Sequence, residues 1–171
     1  YGMGNLHSVA KALNYVVDRK SKVKITNSLD EIRKASHIVF PGQGAVSECM
    51  SNIMNKFSLE EFNVLIHDKP FLGICMGLQV LMTSSVENNG VECLNLFEGR
   101  VLSLESILNK KNNKLKIPHM GWNTVHKESN HVIWNDIEND SFFYFVHSYY
   151  VEPNNENFIL IDKALYNQDD V

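Results

Sequence analysis

The 171-residue sequence has few of the features that define several protein classes. Its three cysteines, at 49, 75 and 93, are an odd number without a CxxC spacing, which predicts neither a disulfide framework nor a zinc site. No apolar run approaches the roughly 20 residues that span a bilayer. The net charge of −4 gives no reason to expect a nucleic acid or an anionic membrane as partner. We expect a cytoplasmic protein without a metal or other cofactor.

The composition is that of an ordinary globular protein, with 44% hydrophobic and 21% charged residues. This length suits one domain with a sizeable core. The chain begins on a turn-like Gly2-Met3-Gly4-Asn5, which normally follows a strand, and ends after Gln168-Asp169-Asp170 without a closing helix. We therefore expect residues 1–171 to be a single domain that is incomplete at both ends.

Hydrophobic periodicity predicts an α/β fold. Helices and strands alternate in the first half, which is typical of a mostly parallel, doubly wound sheet with flanking helices. Short β-branched or aromatic segments in the second half predict an added antiparallel portion. The predicted helices cover 6–17, 28–34, a segment ending near 55, 59–67 and a segment through 82. The predicted strands cover 22–26, 37–40, 71–74, 101–104, 121–126, 132–134, 142–146, 149–152 and 158–161.

Gly73-Ile74-Cys75-Met76-Gly77 is the most informative stretch, because it joins the apolar strand Pro70-Phe71-Leu72 to an apolar helical segment. A reactive residue between small residues at a sharp strand-to-helix turn is the pattern of a nucleophile elbow, here with cysteine in place of serine. The positive end of the following helix favours a thiolate. The alternative is a structural cysteine on a tight turn, an interpretation that suits Cys49 and Cys93 better.

Pro41-Gly42-Gln43-Gly44 follows another predicted strand. Ligands of open α/β sheets bind beyond the carboxyl ends of the strands. Two glycines allow backbone N–H groups to turn toward a developing oxyanion. An ordinary turn between strand and helix explains the same residues when they are taken alone.

Two aromatic blocks in the second half have several interpretations. His147, in Phe145-Val146-His147-Ser148-Tyr149, suits a general base for Cys75, a substrate-positioning residue or a hydrogen-bonded histidine at a strand end. Spacing does not rank these three. Trp122, in Pro118-His119-Met120-Gly121-Trp122-Asn123, suits either the core or an interaction surface.

Together these segments resemble the class I glutamine amidotransferases, and most of all the glutaminase subunits of imidazole glycerol phosphate synthases. Five segments match the pattern of that family in order and approximate spacing: Tyr1-Gly2-Met3-Gly4-Asn5, the Pro41 segment, the Cys75 segment, the Pro118 block and the Phe145 block. The Pro118 block is the discriminating one, because other amidotransferases share the elbow without it. The resemblance extends to about Pro153.

The resemblance implies a fold, an activity and a set of site residues. Cys75 would attack the side-chain amide of L-glutamine, and the amides of Gln43 and Met76 would form an oxyanion hole. The products would be glutamate and ammonia, which a (β/α)8 synthase subunit of a heterodimer would use to make imidazole glycerol phosphate in histidine biosynthesis. The residues expected to bind substrate are Gly42, Gly44, Gln79, His147, Ser148 and Tyr149, and those expected to face the synthase subunit are Met3, Asn5, Trp122 and Asn123.

One departure from the family pattern has a functional consequence. The family completes its catalytic triad with a histidine and a glutamate in a His-Pro-Glu segment, and the sequence contains no such tripeptide. The resemblance assigns His147 to the substrate pocket, so it does not replace the missing base. We expect little or no glutaminase activity from residues 1–171 alone.

Two alternatives keep the fold and change the function. A paralogous amidotransferase subunit would supply ammonia to a sugar-modifying synthetase, and a non-catalytic relative would use the fold for binding only. An independent cysteine hydrolase is disfavoured by Gln79 and by the Pro118 block.

Overall fold

A computed structural model describes residues 4–110, 116–127 and 130–155, and of residues 109 and 110 it describes the backbone alone. The chain divides into two compact units, of which the first ends at Phe97 and the second begins at Glu98. In the described ranges, no helix is both long and apolar enough to span a bilayer. The expectation of one domain over residues 1–171 stays a prediction.

The first unit contains five helices in its described residues: α1 (Leu6–Val16), α2 (Leu29–Lys34), α3 (Val46–Met54), α4 (Leu59–His67) and α5 (Met76–Gln79). Helix α1 begins where predicted, because Oδ1 of Asn5 accepts a hydrogen bond from the N–H of Ser8 at 3.2 Å. Helix α4 begins with a capping box, in which Ser58 and Glu61 each accept a hydrogen bond from the other's backbone N–H.

Two parallel strands, β1 (Ile38–Gly42) and β2 (Phe71–Cys75), form the centre of the first unit. Their register runs from Ile38 opposite Phe71 to Gly42 opposite Cys75. The rings of Phe40 and Phe62 meet edge to face at 5.2 Å between centroids, which joins β1 to helix α4. The core of the unit includes Val46, Cys49, Ile53, Val80 and Leu81. This alternation of helices and parallel strands confirms the predicted α/β class.

The antiparallel strands follow in the chain. A short hairpin pairs β3 (Ser84–Ser85) with β4 (Val91–Glu92) in the first unit. In the second unit, β5 (Gly99–Ser103) pairs with β8 (Tyr149–Pro153), and β6 (His119–Val125) pairs with β7 (Ser141–His147). Helix α6 (Leu104–Lys110) follows β5. The predicted antiparallel portion is therefore confirmed.

Two predicted strands are wrong. Residues 22–26 are not a strand, and the side chains of Lys24 and Thr26 instead bind the carboxylate of Glu31. Residues Val132–Trp134 form a 3-10 turn, whose start is fixed by Nδ1 of His131 accepting from the N–H of Ile133 at 3.2 Å. The predicted strand at 158–161 lies outside the described residues.

Helix α5 is shorter than predicted, because the chain leaves the helix after Gln79. The carbonyl of Val80 accepts from the N–H of Leu94 at 2.9 Å, and that of Leu81 accepts from Leu96 and Phe97 at 3.0 Å. These long-range bonds satisfy carbonyls that a longer helix would have used internally. A single turn aligns few peptide dipoles, so the predicted electrostatic support of Cys75 by a long helix is reduced.

Helix α3 is capped from a distant part of the chain. Its N-cap residue, Ala45, has no side-chain acceptor, and the N–H of Val46 donates instead to Oε2 of Glu87 at 3.2 Å. Glu87 begins the 3-10 turn between β3 and β4, and its own N–H donates to Oγ of Ser85 at 3.2 Å. This carboxylate therefore anchors the segment that follows Gly44 to the β3–β4 hairpin.

Glu87→Ala is expected to lower the free energy of unfolding by about 1 kcal/mol, because Val46 loses its acceptor at a helix N-terminus. Glu87→Gln retains a side-chain oxygen and is expected to lose less than half as much. Urea denaturation of both variants, beside Glu92→Ala as an exposed carboxylate on the same hairpin, measures the difference. Equal losses for the alanine and glutamine variants would contradict the capping role.

Gly77→Ala is expected to cost about 3 kcal/mol or more, because a Cβ there would stand 1.8 Å from the carbonyl oxygen of Phe40. Gly90→Ala is the matched control. Gly90 has a positive φ, of 100°, but a Cβ there has no neighbour within 4 Å, so only backbone strain of about 1–2 kcal/mol applies. Denaturation midpoints compare the two variants, and a larger loss for Gly90→Ala would refute the steric explanation.

Candidate active site

Cys75 lies at the point where β2 ends and α5 begins. Its φ of 56° and ψ of −118° are rare for a residue with a side chain, and such strain costs about 1–3 kcal/mol. The side chain is exposed and forms no disulfide. A strained backbone that presents an accessible thiol is the geometry that the sequence predicted for a nucleophile elbow.

Two glycines make this turn sterically possible. A Cβ on Gly73 would stand 2.7 Å from the carbonyl oxygen of Gly77, and a Cβ on Gly77 would stand 1.8 Å from that of Phe40. The elbow therefore packs backbone against backbone, both within itself and against the neighbouring strand β1. This is the physical reason for small residues two before and two after the cysteine.

The parallel register brings the predicted oxyanion residues to the same edge of the sheet. Gly42 pairs with Cys75 at the carboxyl ends of β1 and β2, so Gln43 and Met76 each follow the last paired residue of adjacent strands. The N–H of Met76 is the first of helix α5, among those that a helix leaves without an internal partner. Gln43 and Gly44 are exposed, and Gly44 has a φ of 87°, which is strained for any residue but glycine.

Gln79 lies at the end of the single turn of α5, four residues after Cys75. The residue is only 8% exposed, and in the described part of the chain its buried Oε1 has no hydrogen-bond partner. An unsatisfied buried acceptor costs about 1–3 kcal/mol. A donor supplied by a ligand would remove that cost, which suits the predicted role of Gln79 in binding substrate.

His147 ends β7, and both of its ring nitrogens are engaged. Nδ1 lies 3.0 Å from the carbonyl oxygen of Tyr149, and Nε2 lies 3.0 Å from Nδ1 of His119. This is the hydrogen-bonded strand-end histidine among the three interpretations from sequence. Ser148, between β7 and β8, accepts from the N–H of Leu104 at 2.9 Å through its carbonyl. The binding of substrate by residues 147–149 stays a prediction.

His119 is a residue of this cluster that the sequence reasoning did not single out. It is 5% exposed and lies opposite His147 in the β6–β7 register. Burial, and next the neighbouring His147, lower the pKa of His119 below its usual value. Alternation along β6 would have placed residue 119 on the face opposite Trp122, but the pairing with His147 depends on a register that the sequence does not specify.

Strands β6 and β7 present a continuous apolar face to solvent, which we call the aromatic face. It is formed by the exposed side chains of Met120, Trp122, Phe142, Tyr144 and Val146. The rings of Trp122 and Tyr144 meet edge to face at 5.6 Å between centroids. Exposed patches of this kind mark interaction sites. Trp122, which is 62% exposed, therefore suits an interaction surface better than the core.

The other residues predicted to face a partner are not part of the aromatic face. Asn123 is 2% exposed on the opposite side of β6, and its Oδ1 accepts from the N–H of Thr124 at 2.8 Å. It therefore lies on the face of β6 opposite Trp122, because strand neighbours point to opposite faces, and its contact with a partner stays a prediction. Asn5 is exposed and caps α1, and Met3 lies outside the described residues.

No predicted site residue lines the shallow cleft of about 320 Å³ in the second unit. That cleft is lined by Lys127, Asn130, His131, Val132, Trp134 and Asn135. Within residues 4–110, 116–127 and 130–155, no group of three or more His, Cys, Asp or Glu side chains is arranged to hold a metal ion.

Comparison with known proteins connects this geometry to a family. A family model described as "Glutamine amidotransferase class-I" matches residues 2–169. "Imidazole glycerol phosphate synthase subunit HisH" of Hydrogenovibrio crunogenus is 46% identical over 159 residues, which cover 93% of this chain and 73% of that protein.

Two further relatives show the same similarity. The protein of that name from Nitrosospira multiformis is 48% identical over 155 residues, covering 90% of this chain and 72% of the relative. "Imidazole glycerol phosphate synthase subunit HisH 1" of Pseudomonas aeruginosa is 45% identical over 155 residues, covering 91% and 72%. A family match over nearly the whole chain and identities above 40% lead to one conclusion: the chain belongs to the class I glutamine amidotransferases.

Proposed function

We propose that the protein is the glutaminase subunit of an imidazole glycerol phosphate synthase, acting in the cytoplasm in histidine biosynthesis. The observation that carries this proposal is the exposed Cys75 at a strained φ of 56°, beside Gly42 at the end of the adjacent parallel strand. The relatives that carry the name of this synthase subunit support the choice of acceptor reaction.

The reaction begins with attack of Sγ of Cys75 on the side-chain carbonyl carbon of glutamine. A C–S bond forms while the carbonyl π electrons move to oxygen, giving a tetrahedral oxyanion. Collapse of that intermediate breaks the C–N bond, and the nitrogen leaves as ammonia after gaining a proton. Water then attacks the thioester carbonyl, Sγ leaves, and glutamate is released. The proposal assigns no residue of this chain to the proton transfers.

The backbone N–H groups of Gln43 and Met76 would stabilise the oxyanion. Their residues follow Gly42 and Cys75, the last paired residues of β1 and β2, at the sheet edge where the substrate carbonyl would lie. Loss of one such donor typically lowers the rate about 10²–10³-fold. Reorientation of the Gln43 peptide, which follows β1, would therefore switch activity. Helix α3, which begins shortly after it, is anchored through Glu87.

Substrate binding would use the buried Oε1 of Gln79 as an acceptor for the ammonium group of glutamine. Gln79 ends the single helical turn that begins after Cys75, and its Oε1 has no partner in the described part of the chain. A charge-assisted hydrogen bond would satisfy it and fix the amino-acid end of the substrate. Gly42 and Gly44 are further proposed substrate-binding residues of the first unit, and His147, Ser148 and Tyr149 are those of the second.

The partner would be a (β/α)8 synthase subunit that receives ammonia, forming a heterodimer. The aromatic face supports a protein contact, because it combines Trp122 and Tyr144 with three further exposed apolar side chains. Ammonia released into water would be lost to the acceptor reaction, so a close contact between the subunits has a chemical purpose.

Cys75 is expected to be the thiol that reacts with diazo-oxo-norleucine, an electrophile that mimics glutamine. Cys93 is the internal control, because burial raises its pKa to about 11 and keeps it protonated at neutral pH. Peptide mapping of the labelled full-length protein by mass spectrometry identifies the site, and Cys75→Ala should abolish both labelling and turnover. Labelling at Cys93 alone, or turnover by Cys75→Ala, would refute the proposed nucleophile.

Trp122→Ala is expected to weaken binding to the synthase subunit by at least about 30-fold, which corresponds to the roughly 2 kcal/mol of a central aromatic anchor. Val132→Ala is the matched control, because Val132 is also an exposed apolar residue of the second unit and lies outside the aromatic face. Calorimetric titration of both variants measures the dissociation constants. Equal affinities would rule out the aromatic face as the docking surface.

A further inference from the structure

Two histidines face each other across the β6–β7 pair. His119, the first residue of β6, lies opposite His147, the last residue of β7, and Nδ1 of the former is 3.0 Å from Nε2 of the latter. A contact of this length is a hydrogen bond, so one of the two nitrogens must carry a proton and the other must offer a lone pair.

The carbonyl of Tyr149 decides how the protons are arranged. A carbonyl oxygen only accepts, so Nδ1 of His147, 3.0 Å away, carries a proton and donates it. When His147 is neutral, its Nε2 is then an acceptor, and Nδ1–H of His119 is the donor. Both nitrogens of His147 are used within the second unit, which sets the tautomer and the orientation of its ring.

His119 is itself held firmly. Its ring stacks on Phe145 with 4.8 Å between centroids and an interplanar angle of 19°, and the residue is 5% exposed. Burial, followed by the charge of His147, lowers the pKa of His119. His119 therefore resists taking up a second proton, and its Nδ1–H remains available to donate.

We propose that His119 is a positioning residue for the segment 147–149, acting by a hydrogen bond from its Nδ1–H to Nε2 of His147. This inference rests on the proposed function, in which residues 147–149 bind glutamine. The His147 ring bridges β6 and the Tyr149 carbonyl across the bend at Ser148, whose own carbonyl is held by the N–H of Leu104. Loss of the His119 donor frees the ring and loosens the bend that would contact substrate.

Two isosteric variants test the position of the donor. Asparagine places its Nδ2 where His119 has Nδ1, whereas glutamine places its amide nitrogen one bond farther along the side chain. In the full-length protein with its synthase subunit, His119→Gln should raise the KM for glutamine about 10-fold, and kcat should change less. His119→Asn should remain within about threefold of the wild-type KM.

Phe145→Leu separates the hydrogen bond from packing. It removes the ring that stacks on His119 and leaves both histidines in place. We expect it to lower the free energy of unfolding while the KM for glutamine stays within about threefold of wild type. A Phe145→Leu variant that raises KM as much as His119→Gln would overturn the inference, because packing would then explain the effect.

The hydrogen bond has a direct spectroscopic signature. At neutral pH, 15N NMR of the labelled protein should show protonated Nδ1 on both histidines and a scalar coupling across the N–H···N bond. His119→Gln should abolish that coupling. Absence of the coupling in the wild-type protein would overturn the inference.

The kinetic outcomes separate the inference from the function on which it rests. Wild-type protein that does not hydrolyse glutamine in the presence of its partner would refute the proposed function. An active wild type with an unchanged KM in His119→Gln would leave that function standing and refute the role of His119. Equal losses in the asparagine and glutamine variants would also refute it.

Discussion

The candidate active site depends on how closely the elbow approaches strand β1. At Gly77 the backbone comes so near the carbonyl of Phe40 that no side-chain carbon fits between them. This contact holds the start of α5 against β1, and the register then sets Cys75 beside Gly42. The position of the thiol and that of the Gln43 segment thus follow from one backbone contact.

Two features of the candidate site lower the stability of the fold. Cys75 adopts a backbone conformation that disfavours a side chain, and Gln79 buries an oxygen without a partner in the described chain. Each costs on the order of 1–3 kcal/mol. Both lie within five residues of the chain, at the elbow and its single helical turn. Locally unfavourable features of this kind are typical of residues selected for binding and catalysis rather than for stability.

Local patterns in the sequence predicted much of this fold. The apolar spacing of α1, the strand that ends at Cys75 and the alternation of β7 each depend on residues close together in the chain. The cysteine between two glycines was recognisable for the same reason. The predicted site residues Gly42, Gln43, Cys75 and Met76 come together because their two strands are neighbours in a parallel pair.

The features that the sequence did not predict depend on hydrogen bonds between residues that are far apart in the chain. Helix α5 stops where the carbonyls of Val80, Leu81 and Met82 accept from N–H groups of residues 94–97. The cap of α3 comes from Glu87, 41 residues beyond Val46, and His147 meets His119 across 28 residues. Hydrophobic periodicity contains no information about such pairs. The alternation along β6, which puts Asn123 on the face opposite Trp122, is by contrast a local feature of the strand.

That alternation gives the two sides of β6 different surroundings. Strand β6 carries Trp122 on its outer side and His119 on its inner side, and both are fixed to β7, one by ring contact and the other by an imidazole bridge. One strand of seven residues thus joins an exposed apolar side chain to a buried histidine that lies three residues away.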